Sequence, residues 1–158
     1  MKPILYSVAF LLVASSACAA TPSPIQDKEL ALSGISLGDT ESSTISSLGS
    51  PKKRIETGEG TQLTYRGLSV MVGWLEQQHS GKERRVYELL STSSRHCTPA
   101  GICPGASFAT AMAKYGEPSI AKRENGTFME YASSQSSCWL QFAVRRGIIK
   151  SVRAACQP

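Results

Sequence analysis

The chain is short of the residues from which active sites are built. It has two histidines in 158 residues, and its 12 Asp and Glu residues are scattered. No serine stands in a Gly-x-Ser-x-Gly frame, and there is no His-x-x-x-His or Cys-x-x-Cys pair. An enzyme needs an activated nucleophile, a matched acid and base, or a metal-ligand set, so a catalyst is not expected, and neither is a cofactor or a metal. His79 sits in a polar turn and His96 abuts a cysteine, both readings of surface or loop residues. Nucleic acid is not expected either: 17 Lys and Arg give a formal net charge of +5, but they are dispersed, and Lys52-Lys53-Arg54 reads as a solvated loop. After the amino-terminal apolar run no second one follows.

That first run is informative. Met1-Lys2-Pro3, the apolar stretch from Ile4 to Ala14 and the small residues Ala17-Cys18-Ala19-Ala20 read as a secretory signal peptide, residues 1–19, with an A-x-A cleavage site. The expected location is periplasmic or secreted. The alternative is an outer-membrane lipoprotein acylated on Cys18, and membrane association is expected only if Cys18 is lipidated. An acylation signal would want an aliphatic residue three places earlier, where Ser15 stands. Without the leader, Cys97, Cys103, Cys138 and Cys156 remain, which in an exported chain read as two disulfides rather than a metal site. Cys97 and Cys103 bracket a short loop. Cys138 and Cys156 lie on the same face of the last hairpin. The expected pairs are Cys97–Cys103 and Cys138–Cys156.

Punctuating residues recur. Gly34, Ile35, Gly38, Gly49 and Pro51 return 67 residues later as Gly101, Ile102, Gly105, Gly116 and Pro118. Such self-similarity predicts an internal duplication. The expected organisation is a flexible lead-in over 20–33, a first α+β repeat over 34–95 and a second, disulfide-stapled repeat over 96–158. Thr40 and Ser107 are placed to cap helices that Gly49 and Gly116 terminate. Period-two alternation then predicts strands over 61–66, 68–76, 84–90, 127–131, 137–144 and 148–156. On one face, expected to be core, fall Leu63, Tyr65, Val70, Val72, Trp74, Val86 and Leu90, with Met129, Tyr131, Cys138, Leu140, Phe142, Val144 and Val152. On the other fall Arg66, Met71, Leu75, Tyr87, Leu89, Trp139, Gln141 and Arg153, an unusually apolar set for a side facing water.

The Gly-x-x-x-Gly turn, short helix, Gly-x-Pro, aromatic-bearing strand and Gly-turn hairpin, behind a secretion signal, resemble the SmpA/OmlA (BamE-like) fold. Two in tandem resemble the architecture of the beta-lactamase inhibitory protein family. The resemblance implies an α+β fold of two tandem helix-plus-antiparallel-sheet repeats forming one curved sheet with helices on one face. The expected function is an exported, non-enzymatic protein-binding module, of inhibitor or immunity type, whose partner is a protein in the periplasm or outside the cell. An envelope-associated accessory lipoprotein of the SmpA/OmlA type is the alternative. The partner-binding residues expected on the open sheet face are Arg66, Met71, Leu75, Tyr87, Leu89, Trp139 and Gln141.

Overall fold

The computed structural model describes residues 22–74 and 83–157; the leader and Leu75 lie outside these. Two helices of eight residues, α1 (Glu41–Leu48) and α2 (Phe108–Tyr115), form where the capping residues place them. Thr40 Oγ1 accepts from the Ser43 N–H at the start of α1, and Ser107 Oγ accepts from Ala109 N–H at the start of α2. Gly49 and Gly116 end them at φ of 79° and 83°, the left-handed region that costs glycine nothing. Each terminal carbonyl is then occupied by a tyrosine hydroxyl: Tyr65 donates to Gly49 O (3.2 Å) and Tyr131 to Gly116 O (2.9 Å).

The described residues also form ten strands: β1 (Ala31–Leu32), β2 (Ile35–Ser36), β3 (Lys53–Thr57), β4 (Gly60–Tyr65), β5 (Leu68–Gly73), β6 (Arg85–Ser91), β7 (Ser119–Arg123), β8 (Gly126–Ala132), β9 (Cys138–Arg145) and β10 (Ile148–Cys156). The first two pair as a short hairpin. The other eight make one antiparallel sheet in the order β3-β4-β5-β6-β10-β9-β8-β7.

This architecture corrects the expected fold class. Strands account for 48% and helices for 15% of the described residues. All eight longer strands belong to one sheet, and the helical residues among those described are the two short α-helices and one 3-10 turn, Asp27–Glu29, so the fold is mostly β, loosely α+β, and a helix-plus-sheet repeat is not evident. The expectation underrated the strand content because β3 and β7 carry little apolar alternation. Lys53–Thr57 and Ser119–Arg123 are almost wholly exposed, each with a single large apolar residue, and the Lys52-Lys53-Arg54 stretch read as a loop feeds directly into β3.

The core lies on one side of the sheet. Leu63, Val70, Val72, Val86 and Leu89 from one half, and Tyr131, Leu140, Phe142, Ile149 and Val152 from the other, are fully buried together. From above come Phe108, Ala111 and Tyr115 of α2, while Ile45 and Leu48 of α1 pack against the edge of the cluster. Phe108, Tyr115, Tyr131 and Phe142 form an aromatic nest with ring centroids 5.4 to 6.4 Å apart, in the tilted and edge-on geometries that the ring quadrupoles favour. The segment read as a flexible lead-in contributes too. Ile25, Leu30 and Leu32 are buried in the same cluster, and the Ile25 N–H donates to Ala132 O (2.9 Å). Cys97 is bonded to Cys103 and Cys138 to Cys156, the latter directly opposite one another on β9 and β10.

Two corrections concern which face a residue occupies. In the pairing of β5 with β6 the register shifts between Met71 and Val72, so Met71 faces Glu88 but Val72 faces Val86, and Tyr87 of β6 is the extra residue. A bulge of one residue inverts the alternation beyond it. Leu89, expected outside, therefore faces Val70 and Ala154 and is fully buried; Leu90, expected in the core, faces Ser69 and Arg153. Trp74, also expected in the core, follows the last residue of β5 and is 61% exposed, because the sheet ends before its side chain can turn inward.

Two outcomes are expected. Leu89→Ala should cost about 3 kcal/mol in chemical denaturation, the range for a fully buried leucine, while Leu90→Ala should cost well under half of that. Burial pushes the Tyr131 hydroxyl from its usual 10.0 up to about 12. The fold thus favours the neutral phenol, and this stability is complete below pH 10 and drains away as the pH rises toward 12. Tyr131→Phe should lose about 1 kcal/mol at neutral pH through the missing hydrogen bond, yet show a shallower alkaline loss of stability between those limits.

Candidate functional site: the uncovered sheet face

The face of the sheet away from the helices is fixed by the registers. The row Glu130, Gln141, Arg153, Leu90, Ser69 crosses it from β8 to β5. Beside it runs Ala132, Trp139, Ala155, Glu88, Met71, Gln62. Tyr87 joins this face through the bulge, and its ring lies against Gly73, where an added Cβ would stand 3.0 Å from Tyr87 Cε1. Glycine there makes room for the aromatic. Phe128, opposite Ala143 and Ala121, extends the apolar surface toward β7.

No described segment covers this face: the helices, the 22–36 segment and the loop before α2 all send their buried residues to the opposite cluster. Gln141 is nevertheless only 5% exposed and Ala155 2%. Trp139, Tyr87, Met71, Leu90 and Phe128 stay half-buried.

Charge on the face is paired. Arg123 Nη2 and Gln141 Nε2 both donate to Glu130 Oε1, each at 2.6 Å, and Arg153 pairs with Glu88. Three polar atoms, however, are buried without a hydrogen-bond partner among the described residues: the Tyr87 hydroxyl, Trp139 Nε1 and Arg153 Nε. All three belong to this one face. Buried donors are nearly always satisfied in folded proteins, so their concentration here marks the surface as different from an ordinary solvated sheet. Burial, and after it the charges of Glu59 and Glu88, push the Tyr87 hydroxyl above its usual range, leaving it a neutral donor.

Of the residues expected here, Met71, Tyr87, Trp139 and Gln141 are brought together on this face. Leu89 belongs to the core, as described. Arg66 lies in the turn between β4 and β5, where its carbonyl accepts from His96, so it sits at the end of the sheet and not on its face. Leu75 falls outside the described residues. Leu90, Glu88 and Phe128 were missed: the bulge hid the first two, whereas Phe128 alternates with Met129 and could have been read from parity alone.

Elsewhere, His96 Nδ1 lies 2.7 Å from Ser33 Oγ and its Nε2 2.9 Å from the Arg66 carbonyl. A serine, a histidine and an orienting carbonyl have the outline of a nucleophilic set. Here both ring nitrogens are spent tying the β1–β2 turn to the β4–β5 turn. The positive φ of Ser33 (56°) belongs to that tight hairpin, and the arrangement is a clasp. A shallow cleft of about 410 Å³ beside α1 is lined by Glu41, Ser42, Ile45, Arg54, Trp74, Glu83 and Arg84. Its charges are engaged with one another: Arg54 pairs with Glu41, and Glu83 accepts from the Ser42 N–H. Among the described residues no cluster of three or more His, Cys, Asp or Glu is placed to hold a metal.

No protein-family model matches the chain, and no curated protein matches it. Among solved structures, its fold is similar to that of an extracellular protein containing an SCP domain from Bacillus anthracis str. Ames, with a TM-score of 0.53 at 12% sequence identity. The match covers 92% of this chain and 50% of that one, so this chain spans half of that protein's length. At this identity the likeness is one of fold alone. What the structure defines is a mostly β domain carrying two disulfides, which fit an oxidising, secreted or periplasmic setting.

Trp139→Phe removes an unpaired donor while keeping most of the ring's bulk. Because an unsatisfied buried donor costs about 1–3 kcal/mol, the melting temperature of the isolated protein should stay level or rise. A substantial fall would mean that Nε1 has a structural partner.

Proposed function

We propose that the chain is an exported, non-catalytic protein-binding module that works through the sheet face carrying Tyr87, Met71, Trp139, Gln141, Arg153 and Leu90. The observation that carries this reading is the coincidence, on a face no described element covers, of half-buried aromatic and apolar residues with three unpaired polar atoms. Trp, Tyr, Met and Arg are the types enriched in interface centres, where a rigid ring buries much area at small entropic cost. A partner seated over them would exclude water from an apolar patch and bring acceptors to the face.

Affinity capture from envelope and secreted fractions, with the exported chain as bait, is the direct test. Trp139→Ala and Tyr87→Ala should each keep the fold and weaken capture by about 2 kcal/mol or more, roughly thirtyfold. Phe142→Ala, in the aromatic nest, should instead unfold the domain at a cost of about 3–5 kcal/mol. Full retention of binding by both surface variants would refute the assignment of this face.

A further inference from the structure

β3 ends the sheet, and β4 is its one ladder partner among the described residues. Its open edge has a definite chemistry. The Thr64 carbonyl accepts from the Lys52 N–H (2.8 Å), so the main-chain groups of Thr64 face β3, and those of its register partner Lys53 face β4. Antiparallel alternation then turns Ile55 and Thr57 toward β4 as well, and directs the N–H and C=O groups of Arg54 and Glu56 outward. Exposed ladders of this kind are templates for another strand.

The sequence Lys53-Arg54-Ile55-Glu56-Thr57 complements itself when reversed. We propose that β3 is a self-recognition edge, on which two copies of the chain pair β3 to β3, antiparallel and centred on Ile55, joining their sheets into one. Arg54 of each copy then stands opposite Glu56 of the other, and each such pair exchanges both N–H···O bonds because these are the residues whose main chain faces outward. The charges match across the seam, and Lys53 meets Thr57, so no like charges oppose. On the other face Ile55, 46% exposed in the single chain, meets its own counterpart. A two-fold seam of this type is self-complementary by construction.

Within one copy the same charges already form a short network: Arg54 pairs with Glu41 and Glu56, and Arg84 with Glu56 (3.1 Å). The hydrogen bond to Glu41 raises the affinity of the Arg54 guanidinium for its proton. The opposite edge, β7, does not share the property. Reversal of Ser119-Ile120-Ala121-Lys122-Arg123 sets Lys122 against Ile120 and Arg123 against Ser119, leaving two cations without counter-charges. The seam on β3 is smaller than a stable obligate interface, so association is expected to depend steeply on protein concentration.

Sedimentation of the purified exported protein over a wide concentration range should show a monomer–dimer equilibrium. Ile55→Lys, which sets like charges face to face at the two-fold axis, should weaken it about tenfold or more. Arg54→Glu and Glu56→Arg should each abolish self-association, with circular dichroism checking that the fold is kept. An equimolar mixture of those two variants restores opposite charges at both positions and should dimerise. A wild-type chain that stays monomeric up to about 1 mM, an Ile55→Lys variant that dimerises unchanged, or a mixture of folded variants that does not associate would overturn the proposal.

Discussion

Everything in this molecule depends on the pairing of β6 with β10. Ser91, Leu90, Leu89 and Glu88 lie opposite Val152, Arg153, Ala154 and Ala155, and this is the single ladder that joins the strands on either side into one sheet. It links residues about sixty positions apart, so it closes late in any folding sequence and must be specified strongly. Leu89 and Ala154 supply that on the core side, both fully buried. On the other side Arg153 reaches Glu88 across the same seam. One register thereby sets the core and the outer surface together.

The two halves solve the same packing problem by different means. Around α2 the core is aromatic and both disulfides lie nearby, whereas α1 is built from Glu41-Ser42-Ser43-Thr44-Ile45-Ser46-Ser47-Leu48 and buries little apolar surface. Thr44, buried at the middle of α1, satisfies its hydroxyl on the Thr40 carbonyl (2.9 Å). Much of the cohesion on that side must therefore come from the aliphatic sheet residues and from Leu30, Leu32 and Ile35, which the amino-terminal segment lays into the cluster. This is why a stretch that reads as a tether, with Thr21-Pro22-Ser23-Pro24 at its start, becomes structural from Ile25 onward: three well-spaced aliphatic residues outweigh the composition around them.

Legibility followed the strength of local signals. Capping residues and glycine stops placed both helices, and clear alternation placed the six inner strands, because caps and period-two burial are written within a few residues. The cysteine pairs were readable since one encloses a short loop and the other follows from facing positions in a hairpin. Three things were not readable. Edge strands are polar by necessity, so β3 and β7 lacked the alternation that marks a buried strand. The bulge at Tyr87 leaves no mark in Val86-Tyr87-Glu88-Leu89-Leu90, where two adjacent leucines fit either parity, and the partner strand alone decides. The architecture as a whole was misjudged because recurring glycine punctuation says where turns fall but not how the strands between them assemble. Of the proposed surface, Met71, Tyr87, Trp139, Gln141 and Arg153 were visible as outward residues from alternation alone. Leu89 and Leu90 exchanged places, and the unpaired donors depend on side-chain packing that no sequence pattern encodes.

The central claim is that the sheet face, and not the helix side, is the working surface, and the two tryptophans lie on opposite sides of that distinction. Trp139 belongs to the uncovered face, while Trp74 lines the cleft beside α1. Oxidative footprinting of the protein alone and bound to its captured partner would report on both rings in one sample. Protection of Trp139, together with Tyr87 and Met71, and an unchanged Trp74 is the result expected; protection of Trp74 with Trp139 unchanged would contradict the account.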